Sequence, residues 1–123
     1  MHWENSNPGV QIIAEEKTTD YHSFSYYEKE ETKNVSYVYG YKKLVYKDLY
    51  PDIDVEYIFH PEGGIKYSLI LHPGADVSKV KMLYSNAKSV LLNEKGEIRI
   101  PTMYGDIIDH APITFFADNH ENI

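Results

Sequence analysis

The chain has 123 residues, 42% of them hydrophobic and 14% aromatic, which is enough to bury the core of one domain without staples and too much for a disordered chain. Its formal charge is −7, and Arg99 is the one arginine beside eleven lysines, so nucleic acid and anionic membrane surfaces are both poor partners. The absence of cysteine excludes disulfides, thiolate metal sites and a cysteine nucleophile. No apolar run approaches a membrane span and no charged-then-apolar signal opens the chain; Met1-His2-Trp3 reads as the start of an excised piece.

Taken in chain order, Val10 to Ala14 is a short apolar patch after a turn-rich start and predicts an edge strand. Lys17 to Asp20 is polar, and Tyr21 to Tyr27 alternates unevenly as a second strand. The charge run Glu28 to Asn34 reads as a solvated loop. A clear period of two follows, with Val35, Tyr37, Tyr39 and Tyr41 on one face, which predicts that most of these tyrosines are core. Gly40 marks a bulge or a close backbone approach, because glycine weakens a plain strand interior. Lys43 to Tyr46 continues extended, and Asp48 to Asp52 is a turn set by Pro51.

Ile53, Val55, Tyr57 and Phe59 make an apolar face opposite Asp54, Glu56 and Ile58. His60-Pro61-Glu62-Gly63-Gly64 turns the chain, and Ile65, Tyr67, Leu69 and Leu71 return along the same face. The predicted register sets Phe59 against Ile65, Tyr57 against Tyr67 and Val55 against Leu69, since a slip of one residue would turn the whole apolar set to water. His72 to Asp76 is a second break, with a helical turn at Asp76 to Lys79. Val80, Met82 and Tyr84 form another strand. Val90 to Leu92 and Ile98 to Ile100 flank a hairpin loop in which Leu92 faces Ile98 and Gly96 takes the left-handed position. Met103 to Ile108 and Ile113 to Ala117 complete the set, and Asp118 to Ile123 is a tail. The sum is a single all-β domain over 1–123, antiparallel and β-sandwich-like, with about seven to nine strands and no substantial helix.

Chemistry is sparse. Asp52, Asp54 and Glu56 alternate on one strand face, about 7 Å apart by strand rise, which raises a glycosidase pair or a calcium site; the plainer alternative is a solvated face with Glu56 diagonal to Lys66. Six histidines include no pair with zinc-ligand spacing, and His60 and His72 each precede a proline. No serine has nucleophile-elbow context, and Gly63-Gly64 lacks the helix of a phosphate loop. No catalytic residue, metal ligand or cofactor is therefore nominated. The ligand-binding candidates are Tyr46, Tyr50, Asp52, Asp54 and Tyr104, aromatics and carboxylates of the kind that contact sugar rings.

The pieces Val45 to Tyr57, Ile65 to Asp76, Lys95-Gly96-Glu97-Ile98 and Ala111-Pro112 follow one another in a distinctive order and spacing. From Tyr41 to Phe116 the chain resembles a domain of unknown function found in large exported bacterial proteins. Its relatives adjoin β-propeller repeats, PKD-type modules or a gliding-motility-associated C-terminal region. The family pattern usually has glycine where this chain has Asp52, and the resemblance covers what looks like the C-terminal half of that domain, leaving an edge open to pairing. It implies an extracellular or cell-surface setting in a modular parent protein and carries over no catalytic residues; the chain as a whole is read as a non-catalytic structural or adhesive module. Its partners would be neighbouring modules, surface proteins or a second copy of the chain through the open edge. A polysaccharide-binding module is the alternative, and a hydrolase built on paired carboxylates is a third reading.

Overall fold

A computed structural model describes residues 1–29, 31–60 and 63–117, with the side chain of Tyr27 left aside. Among the described residues nine strands follow in order: β1 (His2–Trp3), β2 (Gln11–Glu28), β3 (Glu31–Tyr50), β4 (Ile53–Phe59), β5 (Ile65–Leu71), β6 (Met82–Leu83), β7 (Leu91–Leu92), β8 (Ile98–Thr102) and β9 (Gly105–Asp109). The class is all-β and antiparallel, as expected. Among the described residues the one helical element is a 3₁₀ turn at Val77–Lys79, and no helix is long and apolar enough to cross a membrane. The chain divides into two compact units, one spanning Trp3–Lys81 and the other comprising Met1–His2 with the chain from Met82 onward.

The larger unit is built on a four-stranded sheet in the order β2-β3-β4-β5. The β4–β5 register is the one that the alternation requires: Phe59 faces Ile65, Tyr57 faces Tyr67, Val55 faces Leu69 and Ile53 faces Leu71. Its burial is uneven. Ile53 and Val55 are fully buried with Leu49 and Tyr50, while Trp3, Val10, Ala75 and Val80 pack against them and Phe59 and Ile65 lie open. Burying Ile53 and Val55 contributes roughly 2 kcal/mol each from apolar surface removed from water. The Tyr50 hydroxyl donates to the Glu4 carbonyl at 2.7 Å and accepts from the Lys81 N–H at 3.4 Å, tying both ends of this unit to the core. Asp76 caps the 3₁₀ turn by accepting from the Ser78 N–H at 3.1 Å, so the expected helical turn is present.

The first half of the chain differs most from expectation. Val10 to Ala14 and Tyr21 to Tyr27 are not separate strands; both belong to β2 apart from Val10, and Lys17 to Asp20 continues the strand rather than breaking it. Most of the charge run is no loop either: Glu28 ends β2, Lys29 is a turn and Glu30 lies outside the described residues. Glu31 to Asn34 are strand residues paired with Glu28 to Ser25, and Lys33 bonds Glu28 at 2.9 Å across the ribbon. The hairpin register overrides their low strand propensity. Two irregularities explain why the pattern misleads. Between the pairs Lys17/Tyr41 and Tyr21/Tyr39, β2 carries two extra residues, and between His22/Val38 and Phe24/Val35, β3 carries one. Tyr37 in that second bulge has φ of +59°, which breaks the face it was expected to share. Gly40 is a close approach, as read: its N–H bonds the Thr18 hydroxyl at 3.0 Å, and a Cβ there would meet that side chain at 3.3 Å.

The second unit holds a three-stranded sheet in the order β7-β8-β9, with Leu92 facing Ile98 and Gly96 at φ +79°, both as expected. Ile100 is its one buried apolar side chain among the described residues. The strand expected over Val80 to Tyr84 shrinks to β6. The one expected over Ile113 to Ala117 is a single bridge at Phe115, with Ile113 and Phe116 largely exposed. Neither segment has a long partner strand, and periodicity without a partner does not make a ladder. The expected tail, Asp118 to Ile123, and the turn residues Pro61-Glu62 lie outside the described residues.

Candidate functional site

The most polar buried point in the molecule lies at the start of β4. Between the pairs Tyr46/Val55 and Tyr50/Ile53, β3 holds three residues against one on β4, and Asp48 takes φ of +49°. This bulge turns the Asp48 N–H toward Asp54, whose Oδ1 accepts it at 2.8 Å. The other oxygen, Oδ2, accepts from Lys47 Nζ at 2.5 Å and lies 3.0 Å from His72 Nε2. Asp54 is 1% exposed. Burial pushes its carboxyl upward, but the hydrogen bonds from Lys47, His72 and the Asp48 backbone outweigh this and hold it at about 2. The same bond raises the Lys47 ammonium above its usual value.

A second charged cluster crosses three strands. Lys43 on β3 pairs with Glu56 on β4 at 2.8 Å and with Glu15 on β2 at 3.2 Å, and those hydrogen bonds raise it above the usual lysine value. The register does set Glu56 diagonal to Lys66, as expected, but its ion pair is with Lys43 on the neighbouring β3. The carboxylate trio does not form a solvated face either, since Asp54 turns into the bulge. A Tyr57 hydroxyl takes the Trp3 indole N–H at 2.5 Å, and Trp3, Tyr46 and Tyr67 each bring a ring to within 5.4–6.5 Å of Tyr57 or of one another.

The ligand-binding candidates are scattered through these networks. Tyr46 is half-buried, its ring against Tyr57 at 5.4 Å between centroids. Tyr50 and Asp54 are buried with internal partners. Asp52 is exposed at the β3–β4 turn with φ of +60°, and a Cβ on Gly74 would stand 3.4 Å from its Oδ2. Tyr104 is 91% exposed at the tip of the β8–β9 hairpin, in the second unit. Only Asp52 and Asp54 are drawn toward one point, around the start of β4, and His72 joins them there: its N–H bonds the Asp52 carbonyl at 2.9 Å. Sequence reasoning passed over Lys47 and His72. The signal was weak, because both lie outside β4 and reach Asp54 only through the bulge and the turn after β5.

A larger surface feature lies elsewhere. β4 pairs with β3 only from Lys43 onward, so Glu31–Lys42 and the β2 residues opposite form a two-stranded arm, roughly 40 Å long at strand rise. The tyrosines expected in the core are on this arm: Tyr37 and Tyr41 are exposed, with Tyr39 half-buried. Tyr21, Phe24, Tyr26 and Val35 join them at the surface. Tyr21 and Tyr37 rings stand 4.9 Å apart at a tilt of 41°, and Lys17 Nζ lies 3.5 Å above the Tyr39 ring. A two-stranded ribbon is marginal in water by itself, and apolar side chains on both of its faces ask for cover.

Two open depressions are present in the larger unit. One of about 120 Å³ is lined chiefly by Tyr41, Leu44, Tyr57, Ile58, Phe59 and Ile65; the other, of about 320 Å³, by Asn5, Tyr50, Pro51, Ser78, Lys79 and Lys81. Neither contains a carboxylate. Among the described residues no group of three or more His, Asp or Glu side chains is placed to hold a metal ion. Asp54 has the features of a structural anion: it is saturated with donors, shut from solvent and held ionised, so a proton donor to substrate is a role its environment opposes.

No curated protein matches the chain, and no solved structure matches it. The family model for DUF7948, a domain of unknown function, matches residues 1–123. The match takes in the first forty residues, upstream of the segment on which the resemblance rested. The chain belongs to the DUF7948 family of domains of unknown function.

Proposed function

We propose that the chain is a non-catalytic structural or adhesive module of an exported, multidomain bacterial surface protein, and that it works by docking the β2–β3 arm and its open sheet edge against neighbouring modules. The observation that carries this reading is the arm itself, whose aromatic side chains stand exposed on a ribbon too thin to be stable alone. The internal use of the Asp54 carboxylate supports the non-catalytic part. The extracellular setting rests on the resemblance to modules of exported proteins that carry propeller, PKD-type or gliding-motility-associated regions.

Calorimetric titration of the chain with the modules flanking it in the parent protein tests the reading. Saturable binding that weakens at least ten-fold in Phe24→Ser or Tyr37→Ser supports it. Binding indifferent to both substitutions, or hydrolysis of a glycan by the purified chain, would overturn it. A second reading, polysaccharide recognition, is favoured by the exposed Tyr21–Tyr37 pair. A saturable hit on a polysaccharide panel, abolished by Tyr37→Ala, would select it.

A further inference from the structure

The arm is two strands thick, and the chain has no cysteine from which to close a disulfide across it. It carries instead a pair of tyrosines in ring contact. Tyr21 on β2 is opposed to Tyr39, and Tyr37 is its diagonal neighbour on β3. The bulge holds Tyr37 at φ of +59°, a left-handed backbone that is strained for a bulky side chain. In that position the Tyr37 ring meets the Tyr21 ring, with centroids 4.9 Å apart and planes tilted by 41°. Both side chains stay in water, Tyr21 at 53% and Tyr37 at 67% exposure. The other tyrosine contacts are less open to attack. Tyr46, Tyr57 and Tyr67 are half-buried, and the Tyr57 hydroxyl is taken by Trp3. Tyr39 is half-buried too, and the Lys17 ammonium 3.5 Å from its ring centre opposes removal of an electron from it.

We infer that Tyr21 and Tyr37 are an oxidative cross-linking site, closed into a dityrosine bridge across the arm by a one-electron oxidant driven by hydrogen peroxide, such as a haem peroxidase. Each phenol gives up one electron and one proton to become a phenoxyl radical. The two radicals pair, and a carbon–carbon bond forms between the ring carbons ortho to the two oxygens. The hydrogens displaced from those carbons move to the oxygens and restore both hydroxyls. The chain loses two hydrogens in all, and one hydrogen peroxide is reduced to two waters. Rings joined in this way have centroids about 4.3 Å apart by ordinary bond lengths, so the pair has to close by less than about 1 Å. Directly linked rings also twist against each other to relieve their ortho contacts, and these two are already tilted. The bond closes the hairpin from Tyr21 to Tyr37 and removes its open conformers, as a disulfide does for a loop. It goes beyond the docking role by giving the arm a covalent support of its own.

Treating the full chain at about 1 μM with a peroxidase and hydrogen peroxide tests it, because a pair held in contact couples far faster than two chains meet at that concentration. Dityrosine fluorescence, intact mass and mapping of the cross-linked peptides read the product. The expected product is a single chain lighter by two hydrogens, with its link between Tyr21 and Tyr37. Tyr21→Phe and Tyr37→Phe keep the ring and remove the phenol, and each is expected to lower the yield of intrachain link roughly ten-fold. Tyr39→Phe and Tyr104→Phe are expected to leave that yield within about two-fold of wild type. Far-UV circular dichroism checks that each variant folds. Amides of the linked arm are expected to exchange more slowly than those of the untreated arm. Links formed only between chains, an intrachain link mapped to Tyr39 or elsewhere, or a yield indifferent to Tyr37→Phe would overturn the inference. An arm that exchanges as fast after linking as before would overturn it as well.

Discussion

Removing the buried carboxylate is the sharpest test of how the sheet is held together. In Asp54→Ala the Asp48 N–H loses its acceptor inside the β3 bulge, and Lys47 and His72 lose theirs. Lys47 and His72 keep 42% and 44% of their side-chain surface in water, so both rehydrate at modest cost. Asp48 is itself an exposed residue, so its N–H, part-buried where it meets Asp54, rehydrates only in part. Such a part-buried donor left unpaired costs about 1–2 kcal/mol, and losing charge-assisted bonds to half-hydrated partners adds about 1 kcal/mol. The expected loss is therefore about 2–3 kcal/mol. Asp54→Asn retains an acceptor for the backbone N–H and removes only the charge, so its loss should be about 1–2 kcal/mol. Urea denaturation followed by Trp3 fluorescence measures both, because Trp3 packs on the core that Asp54 adjoins. An alanine variant within 0.5 kcal/mol of wild type, or as stable as the asparagine variant, would refute the claim that the carboxylate organises the bulge.

The same group fixes an acid limb. Its folded value of about 2 lies below the ordinary aspartate value near 3.9, so its stabilisation is fully present above about pH 4 and is lost as pH falls through 2. Allowing for water around its partners, that contribution is about 1–2 kcal/mol, and Asp54→Asn should flatten stability against pH between about 4 and 2. Asp52→Gly should stabilise the fold by a few tenths to about 1 kcal/mol in thermal melts, since Asp52 holds φ of +60° and glycine does so without penalty; a loss of stability would mean that the exposed carboxylate holds something. Ile53→Ala should cost about 3–4 kcal/mol by denaturant titration, as a fully buried β-branched side chain in the main cluster. A cost under 1 kcal/mol would place the core elsewhere.

What could be read from residues alone follows from how locally each element is specified. The β4–β5 hairpin carries its register in its own alternation, and Gly96 and Asp76 announce their turns by backbone freedom and capping chemistry. The arm was hidden because Thr18 to Asp20 and Tyr37 sit in bulges that shift the alternation, so one long hairpin reads as two strands, a loop and a core face. The tyrosines share the composition of a core without its burial, and periodicity cannot tell a covered face from an uncovered one. Asp54 alternates like a surface residue; only the β3 bulge turns it inward, and its partner His72 comes from beyond the next strand. The left-handed backbone at Asp52 is a geometry that glycine, the residue expected there from the resemblance, adopts without strain.

Amide hydrogen exchange of the chain, dilute and then assembled with its flanking modules, tests the central claim most directly. The account predicts that Val45, Ile53 and Val55 exchange slowly throughout, whereas the arm from Tyr21 to Glu28 and Val35 to Tyr41 exchanges fast when dilute and becomes protected on assembly. An arm as protected as the core in the dilute chain, or one that stays unprotected in every assembled state, would contradict it.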